Sequence, residues 1–241
     1  MEKAKNFYFD ISHYYTLNHH INVLKNVIKK EGIKGFLKRI KKHLYFKYKR
    51  VDFSPENIFD LEVKGDNREK ASTYHAVLEK PFLEILEKIK EYEPDITKGA
   101  FLDYGSGKGF SLYKAYKFGF SEVIGVEFAP KLYQISMNNL KKLKVKNFKV
   151  YLEDAAHFSP PTNVSLIFFY NPFNEEIMQK VHDKIVENRD KYTNSVYIAY
   201  HYPICKEIFD KSEYFEFLEE AYCSFSNEIT RIYKLKDLQE A

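Results

Sequence analysis

The sequence predicts a doubly wound α/β fold, a mostly parallel sheet of seven strands with helices on both faces, preceded by a helical N-terminal extension. Three observations lead to this prediction. Strand and helix patterns alternate from about residue 71 to residue 205, the strand segments are almost continuously apolar, and two further strand segments end the chain. Apolar strands without a polar face are typical of a parallel sheet that helices cover on both sides. The last two strands fit a terminal antiparallel pair.

The individual elements follow from the spacing of the apolar residues, which repeats every three to four positions in helices and runs continuously in buried strands. The predicted strands are 99–103, 122–127, 148–152, 164–169, 195–200, 214–218 and 230–235. The predicted helices between them are 77–89, 111–118, 131–143 and 175–191. Residues 223–227 are expected to join the last two strands. We assign residues 71–241 to this α/β domain.

Residues 1–70 form the predicted N-terminal extension, with two helices separated at Gly32. Between His20 and Arg50 there are eleven Lys and Arg residues and one acid, Glu31. Three interpretations of this basic segment stay open. It is a solvated helical face whose apolar stripe packs on the domain, a patch for nucleic acid or an acidic protein, or a helix that rests on an anionic membrane surface.

The composition excludes several classes of protein. No run of about 18 apolar residues exists, so no transmembrane segment is expected, and the N-terminus lacks the pattern of a signal peptide. Two Cys residues are too few for a disulfide framework and have no partners at zinc-ligand spacing. We therefore expect a cytoplasmic protein with reduced thiols and no metal site.

A glycine-rich loop follows the first predicted strand, which ends at Asp103. The loop contains Gly105, Gly107 and Gly109. Glycine permits positive φ angles and lets a ligand approach the backbone closely. A loop between a strand and a helix, at the carboxyl edge of a doubly wound sheet, is where such folds bind ligands.

The next strands also end in polar residues. Glu127 ends the second strand and is placed to accept hydrogen bonds from both hydroxyls of a ribose. Asp154, beside Glu153, follows the third strand and is placed to accept from an adenine amino group. Asn171 follows the fourth. These carboxylates alone would fit NAD as well. The usual dinucleotide-binding loop is G-x-G-x-x-G, whereas the loop here is G-x-G-x-G, and this difference argues against NAD.

These segments resemble the motifs of class I, seven-strand, S-adenosylmethionine (SAM) dependent methyltransferases, which have a Rossmann-like fold. Residues 101–109 resemble motif I, 125–127 motif II, 153–155 motif III and 168–173 motif IV. The Gly-Lys-Gly of motif I and the Asn-Pro-Phe of motif IV are similar to a bacterial group of these enzymes. The strand-4 motif also resembles that of seven-strand histone-lysine methyltransferases.

The resemblance implies which residues hold SAM. Asp103, Gly105 and Gly107 would hold its methionine part, Glu127 its ribose and Asp154 its adenine. The remaining members of the implied cofactor set are Ser106 in the loop, Phe128 and Ala155 beside the adenine, Tyr170 at the donor methyl, and Tyr74 over the SAM carboxylate.

The acceptor of the methyl group is less determined. In amino-group methyltransferases a strand-4 Asn accepts hydrogen bonds from the acceptor nitrogen and an aromatic residue stacks on the substrate, which implies those roles for Asn171 and Phe173. The motif of those enzymes has two consecutive prolines, whereas the motif at residues 171–173 of this chain has one. We favour N-methylation of a protein lysine-like amine. The alternatives are O-methylation of a small molecule or glycan, with His201 or His157 as the base, and a non-catalytic SAM-binding protein that binds nucleic acid.

Overall fold

The computed structural model describes residues 17–55, 77–222 and 228–236, with side chains from residue 32 onward except that of Arg39. The chain divides into two compact units, Met1–Arg50 and Val51–Ala241. The domain boundary predicted near residue 70 falls in a stretch outside the described residues, as do Tyr74 and the predicted turn 223–227.

The described part of the first unit is helix α1, Leu17–Lys49, which is interrupted at Gly32. Gly32 has φ 69° and ψ 178°, a conformation that L residues with a side chain rarely adopt. The predicted break at Gly32 is therefore confirmed.

The second unit alternates helices and strands as the sequence predicts. Its strands are β1 Ala100–Tyr104, β2 Glu122–Glu127, β3 Phe148–Leu152, β4 Val164–Tyr170, β5 Tyr197–His201, β6 Phe215–Tyr222 and β7 Ile229–Leu235. Its α-helices are α2 Glu79–Tyr92, α3 Phe110–Phe118, α4 Pro130–Lys142, α5 Glu175–Glu187 and α6 Glu207–Asp210. Two short 3-10 turns, Ile96–Lys98 and Arg189–Lys191, complete the described elements.

The seven strands form one sheet in the order β3-β2-β1-β4-β5-β7-β6. Strands β1 to β5 pair in parallel, and β7 lies antiparallel between β5 and β6. The predicted fold class is confirmed. Strand order reverses between β1 and β4, which is the point where doubly wound sheets bind their ligands.

The two faces of the sheet carry different helices. The ring of Phe82 in α2 packs edge-on against Phe101 and Phe168. The neighbouring residues Leu102 and Phe169 instead belong to the core cluster that includes the apolar residues of α5. Adjacent residues of a strand point to opposite faces, so α2 and α5 cover opposite sides. Both faces of the central strands are therefore buried, which explains their unbroken apolar sequence.

Two element ends differ from the prediction in ways that matter for the site. Strand β5 ends at His201, one residue later than predicted, because His201 pairs with Tyr170 on one side and Thr230 on the other. Helix α5 ends at Glu187, and a separate 3-10 turn begins at Arg189. His201 is therefore the last residue of β5, and the sequence had placed it in the following loop.

No helix among the described residues is long and apolar enough to cross a membrane. Within the same ranges, no group of three or more His, Cys, Asp and Glu side chains is arranged to hold a metal ion.

Candidate active site

The glycine-rich loop crosses from β1 over the end of β2. The backbone N–H groups of Gly105 and Ser106 both donate to the carbonyl of Val126, at 2.9 and 3.0 Å. Gly105 has φ 80° and is exposed, and Gly107 has φ 53°. The loop is thus held on β2 by its own backbone, with Gly105 open to solvent at the carboxyl edge.

Glu127 anchors the same loop from the last position of β2. One carboxylate oxygen accepts the N–H of Gly107 at 2.8 Å, and the other accepts the N–H of Ala129 at 2.9 Å. Only 3% of Glu127 is exposed, and this burial raises the pKa of its carboxyl from 4.5 to about 7, against the opposing effect of the backbone hydrogen bonds. The structure therefore places Glu127 at the predicted edge and also gives it a second task, fixing Gly107.

Asp103 is also buried, in β1 beside the loop. Its carboxylate accepts the hydroxyl of Ser111, a residue of α3. Burial is the largest cause that raises the pKa of Asp103 from 3.8 to about 7, and the charge of Glu127 adds to the rise. Asp103 and Glu127 are thus two buried carboxyl groups with raised pKa values beside the glycine loop, which makes this edge a candidate functional site.

Ser106 is packed below the loop surface. A Cβ on Gly125 would come within 2.5 Å of the Ser106 hydroxyl oxygen, so the side chain lies against β2. That hydroxyl is buried and has no hydrogen-bond partner among the described residues. The structure gives Ser106 a part in shaping the loop, and a contact between Ser106 and a ligand stays a prediction.

The residues predicted near the adenine lie at the ends of β2 and β3. Asp154 accepts the N–H of Ala156 at 2.9 Å and so closes a turn after β3. Ala155 is buried in the α5-side core, whereas Phe128 is half-buried beside Glu127. His157 is exposed on the same turn. Asp154 and Phe128 are thus partly exposed at the ends of β3 and β2, whereas Ala155 belongs to the core, and the contact of each with an adenine stays a prediction.

The loop after β4 meets the glycine loop directly. A Cβ added to Gly105 would lie 2.9 Å from Cβ of Pro172. Asn171 has φ 40°, a left-handed conformation that Asn tolerates better than most residues, and its N–H donates to the His201 carbonyl at 3.1 Å. The ring of Phe173 packs edge-on against Tyr104, 6.5 Å between centroids. Phe173 therefore packs against the core through Tyr104, Pro172 joins this loop to Gly105, and stacking of Phe173 on a substrate stays a prediction.

His201 is enclosed by polar partners. Its Nδ1 lies 2.8 Å from the hydroxyl oxygen of Thr230, and its Nε2 lies 3.2 Å from a carboxylate oxygen of Glu228. Its ring is 4.9 Å from that of Tyr170, and only 1% of the residue is exposed. Both ring nitrogens are thus engaged within the protein.

Sequence reasoning missed a polar cluster on the far side of the glycine loop. Lys108, between Gly107 and Gly109, is completely buried, and its Nζ lies 2.7 Å from Asp52 and 3.2 Å from Ser54. The amide of Asn139 accepts the N–H of Asp52 at 2.9 Å and donates to the carbonyls of Asp52 and Lys108. A charged residue in a tight loop and an Asp-x-Ser turn before Pro55 were the available signals. Segment 51–55, predicted to be a connector, is fastened to the cofactor loop.

The solved structures that resemble this chain include the following two. A Haemophilus influenzae protein described as a methylase has a TM-score of 0.52 at 16% identity, over 65% of this chain and 99% of its own. The Bacillus subtilis m1A22 tRNA methyltransferase TrmK has a TM-score of 0.53 at 14% identity, over 67% of this chain and 68% of its own. At these identities the likeness shows the shared fold alone.

Sheet order, glycine loop and paired carboxylates together define a SAM-dependent methyltransferase. A family model described as a methyltransferase domain matches residues 97–234, and the chain belongs to this family. Among curated proteins, human EEF1A lysine methyltransferase 2 is 29% identical over 98 residues, which span 39% of this chain and 40% of that protein. This chain therefore aligns with less than half the length of that relative.

The residues of the cleft fit SAM. Gly105 leaves the backbone open to the methionine part, Asp103 would pair with its ammonium group, and Glu127, which also holds Gly107, would accept its ribose hydroxyls. SAM supplies a methyl group activated by the positive sulfonium to which it is bonded. The chain's own residues have to hold and orient this donor and exclude water.

The raised pKa values predict that SAM binding depends on pH. SAM prefers the ionised forms of Asp103 and Glu127, whose pKa values stand at about 7 in the ligand-free protein. Affinity should therefore rise roughly tenfold for each carboxyl that must ionise between pH 5.5 and 7. Calorimetric titration across this range would measure it, and an Asp103→Asn variant should show a flatter profile. An affinity independent of pH in the wild type would contradict the prediction.

The same shifts predict how stability changes with pH. Both pKa values are raised on folding, so the unfolded chain releases these protons first as the pH increases. The ligand-free protein should lose stability between about pH 4 and pH 7, and SAM should restore part of it.

Proposed function

We propose that this chain transfers the methyl group of SAM to the amine of a protein lysine or a similar amine, with Asn171 orienting the acceptor nitrogen. The proposal depends mainly on the hydrogen-bond partners of the polar side chains at the carboxyl edge of β4 and β5. Pro172, the residue after Asn171, meets Gly105 at the glycine loop, and both nitrogens of His201, whose carbonyl accepts the N–H of Asn171, are already engaged.

A hydroxyl acceptor has to give its proton to a base at the site as the methyl is transferred. A lysine amine can instead release its ammonium proton to water before the transfer; its lone pair then attacks the methyl, the bond from the methyl to sulfur breaks, and the positive charge of the sulfonium passes to the product amine. His201 presents no unengaged nitrogen to a substrate, since Thr230 and Glu228 contact both. His157 follows β3, which is three positions from β4 in the sheet, or about 14 Å at the usual strand spacing. Neither predicted base suits a hydroxyl held at Asn171, so the geometry favours the amine.

A cavity near this edge is lined with carboxylates, each of which pairs with a cation of the protein: Glu84 with Lys80, Glu219 with Lys88 and Glu220 with Arg231. The cavity has a volume of about 340 Å³ and lies between α2 and the β6–β7 hairpin. Thr230, which contacts His201, lines the same cavity. The match to a human lysine methyltransferase supports a protein lysine or a similar amine as the acceptor.

The test is transfer of a labelled methyl group from SAM to fractionated protein, followed by acid hydrolysis to identify methyllysine. We expect Asn171→Ala to lower the rate by about 100-fold or more, the size of effect seen when a positioned polar group is removed. His201→Gln should lower it by less than tenfold, because His201 supports the hairpin only.

Asn174→Ala is the matched control, since Asn174 lies three residues later and its side chain only caps α5 by accepting the N–H of Ile177. That variant should lose about 1 kcal/mol of stability and keep its rate. Label recovered in small molecules, glycan or RNA would overturn the proposal, as would full activity in Asn171→Ala together with an inactive His201→Gln.

A further inference from the structure

The second half of helix α1 carries an apolar stripe along one face. Ile33, Leu37, Ile40, Leu44 and Tyr48 are spaced four, three, four and four residues apart, which places them on a single face of a helix. All five are exposed, Tyr48 to 80% and Ile33 to 68%. Gly32 interrupts the helix just before this stripe and separates it from the preceding half.

The opposite face of the same segment is basic. Lys34, Lys38, Lys42 and Lys49 fall on the arc that the apolar residues leave, and Lys41 and Lys47 lie at the two borders of the stripe. The sequence has no Asp or Glu between Gly32 and Asp52. This segment therefore combines an exposed apolar face with a polar face that bears positive charge alone.

We propose that residues 33–49 form an amphipathic helix that lies on an anionic membrane surface, with the apolar stripe in the lipid and the lysines at the headgroups. A helix with these two faces is the sequence and structural pattern of interfacial membrane binding. At 1.5 Å per residue the segment is about 25 Å long, enough to lie flat over several lipid headgroups. Tyr45 and Tyr48, near its end, are residues that favour the lipid–water interface.

The combination of an apolar face and a basic face favours an anionic membrane over a nucleic acid or a second copy of this chain. A nucleic acid would use the lysines but would leave Ile33, Leu37 and Leu44 exposed to water. A second copy of this chain would cover the apolar stripe but would leave the lysines of both copies without an anionic partner. An anionic bilayer satisfies both faces at once, since each basic residue near its surface gains affinity and the apolar residues leave water. This inference does not depend on the identity of the methyl acceptor.

The experiment is co-sedimentation of the full chain with vesicles of phosphatidylcholine alone or with about 30% phosphatidylserine. We expect at least tenfold tighter binding to the anionic vesicles at low salt, and a clear loss in 0.5 M salt. Leu37→Ser with Leu44→Ser should abolish the binding, and Lys34→Glu with Lys41→Glu should reduce it by tenfold or more.

Ile204→Ser is the matched control, because Ile204 is an exposed apolar residue of the second unit, 64% accessible, and its loss should not alter vesicle binding. All variants should keep the SAM affinity and melting temperature of the wild type, which shows that they fold. No binding to anionic vesicles would overturn the proposal. So would binding to duplex DNA that the leucine variants retain, or a dimer in solution that those variants dissolve.

Discussion

Glu127→Ala should weaken SAM binding by about 100-fold or more. The substitution removes the predicted partner of the ribose hydroxyls and also leaves the N–H groups of Gly107 and Ala129 without their acceptor. A hydrogen bond to a charged group is worth about 1.5–3 kcal/mol. Losing one such bond to the ligand and one that shapes the loop therefore amounts to a loss of affinity of about 100-fold or more. Equilibrium binding of SAM, by calorimetry or a fluorescence competition assay, measures the effect.

The same strand provides a control for this prediction. Glu122 is at the other end of β2, where its carboxylate pairs with Lys149 at 2.7 Å and accepts from Asn163 at 3.0 Å. Glu122→Ala removes a carboxylate from the same strand without touching the cleft, and SAM affinity should stay within twofold. Wild-type SAM affinity in a folded Glu127→Ala protein would refute the assignment of this edge as the cofactor site.

Gly105→Ala should lower the turnover rate by about 100-fold, because it acts on both loops of the active site. A side chain at φ 80° is strained, and its Cβ would meet Pro172 at 2.9 Å. Pro172 cannot move without displacing Asn171, whose N–H is bonded to the end of β5. If Asn171 orients the acceptor as proposed, a displacement of about 1 Å there is enough for a loss of this size. Steady-state kinetics with the labelled donor measure it.

Gly119→Ala separates the clash from the backbone strain. Gly119 also has a positive φ, 122°, but a Cβ there would have no atom within 4 Å. This variant should melt at a lower temperature and keep its turnover rate per folded molecule. Adding Pro172→Gly to Gly105→Ala removes the clashing Cβ and should recover part of the activity. Equal loss of activity in the two alanine variants would mean that strain alone, and not the contact of the two loops, explains the result.

Much of the cofactor side could be predicted from the sequence because it depends on local patterns. A loop with three glycines follows an apolar strand, and Glu127 ends the next strand, so a parallel sheet brings both to one edge. The acceptor side is less local. The sequence suggested His201 as a base because it follows a predicted strand at the same edge and because the unperturbed pKa of histidine is near neutral. It could not show that Thr230 and Glu228, about 30 residues later, engage both nitrogens.

The sequence by itself determined the fold class, the order of the strands along the chain and the glycine loop. Each of these depends on the period of the apolar residues, or on a backbone conformation that glycine adopts most easily. Only the tertiary structure decided the partners of the polar side chains. Lys108 pairs with Asp52, 56 residues away, and Asn139 binds Asp52 across 87 residues. A buried charge has to find a partner, but which partner it finds depends on how distant segments pack, and no local pattern records that.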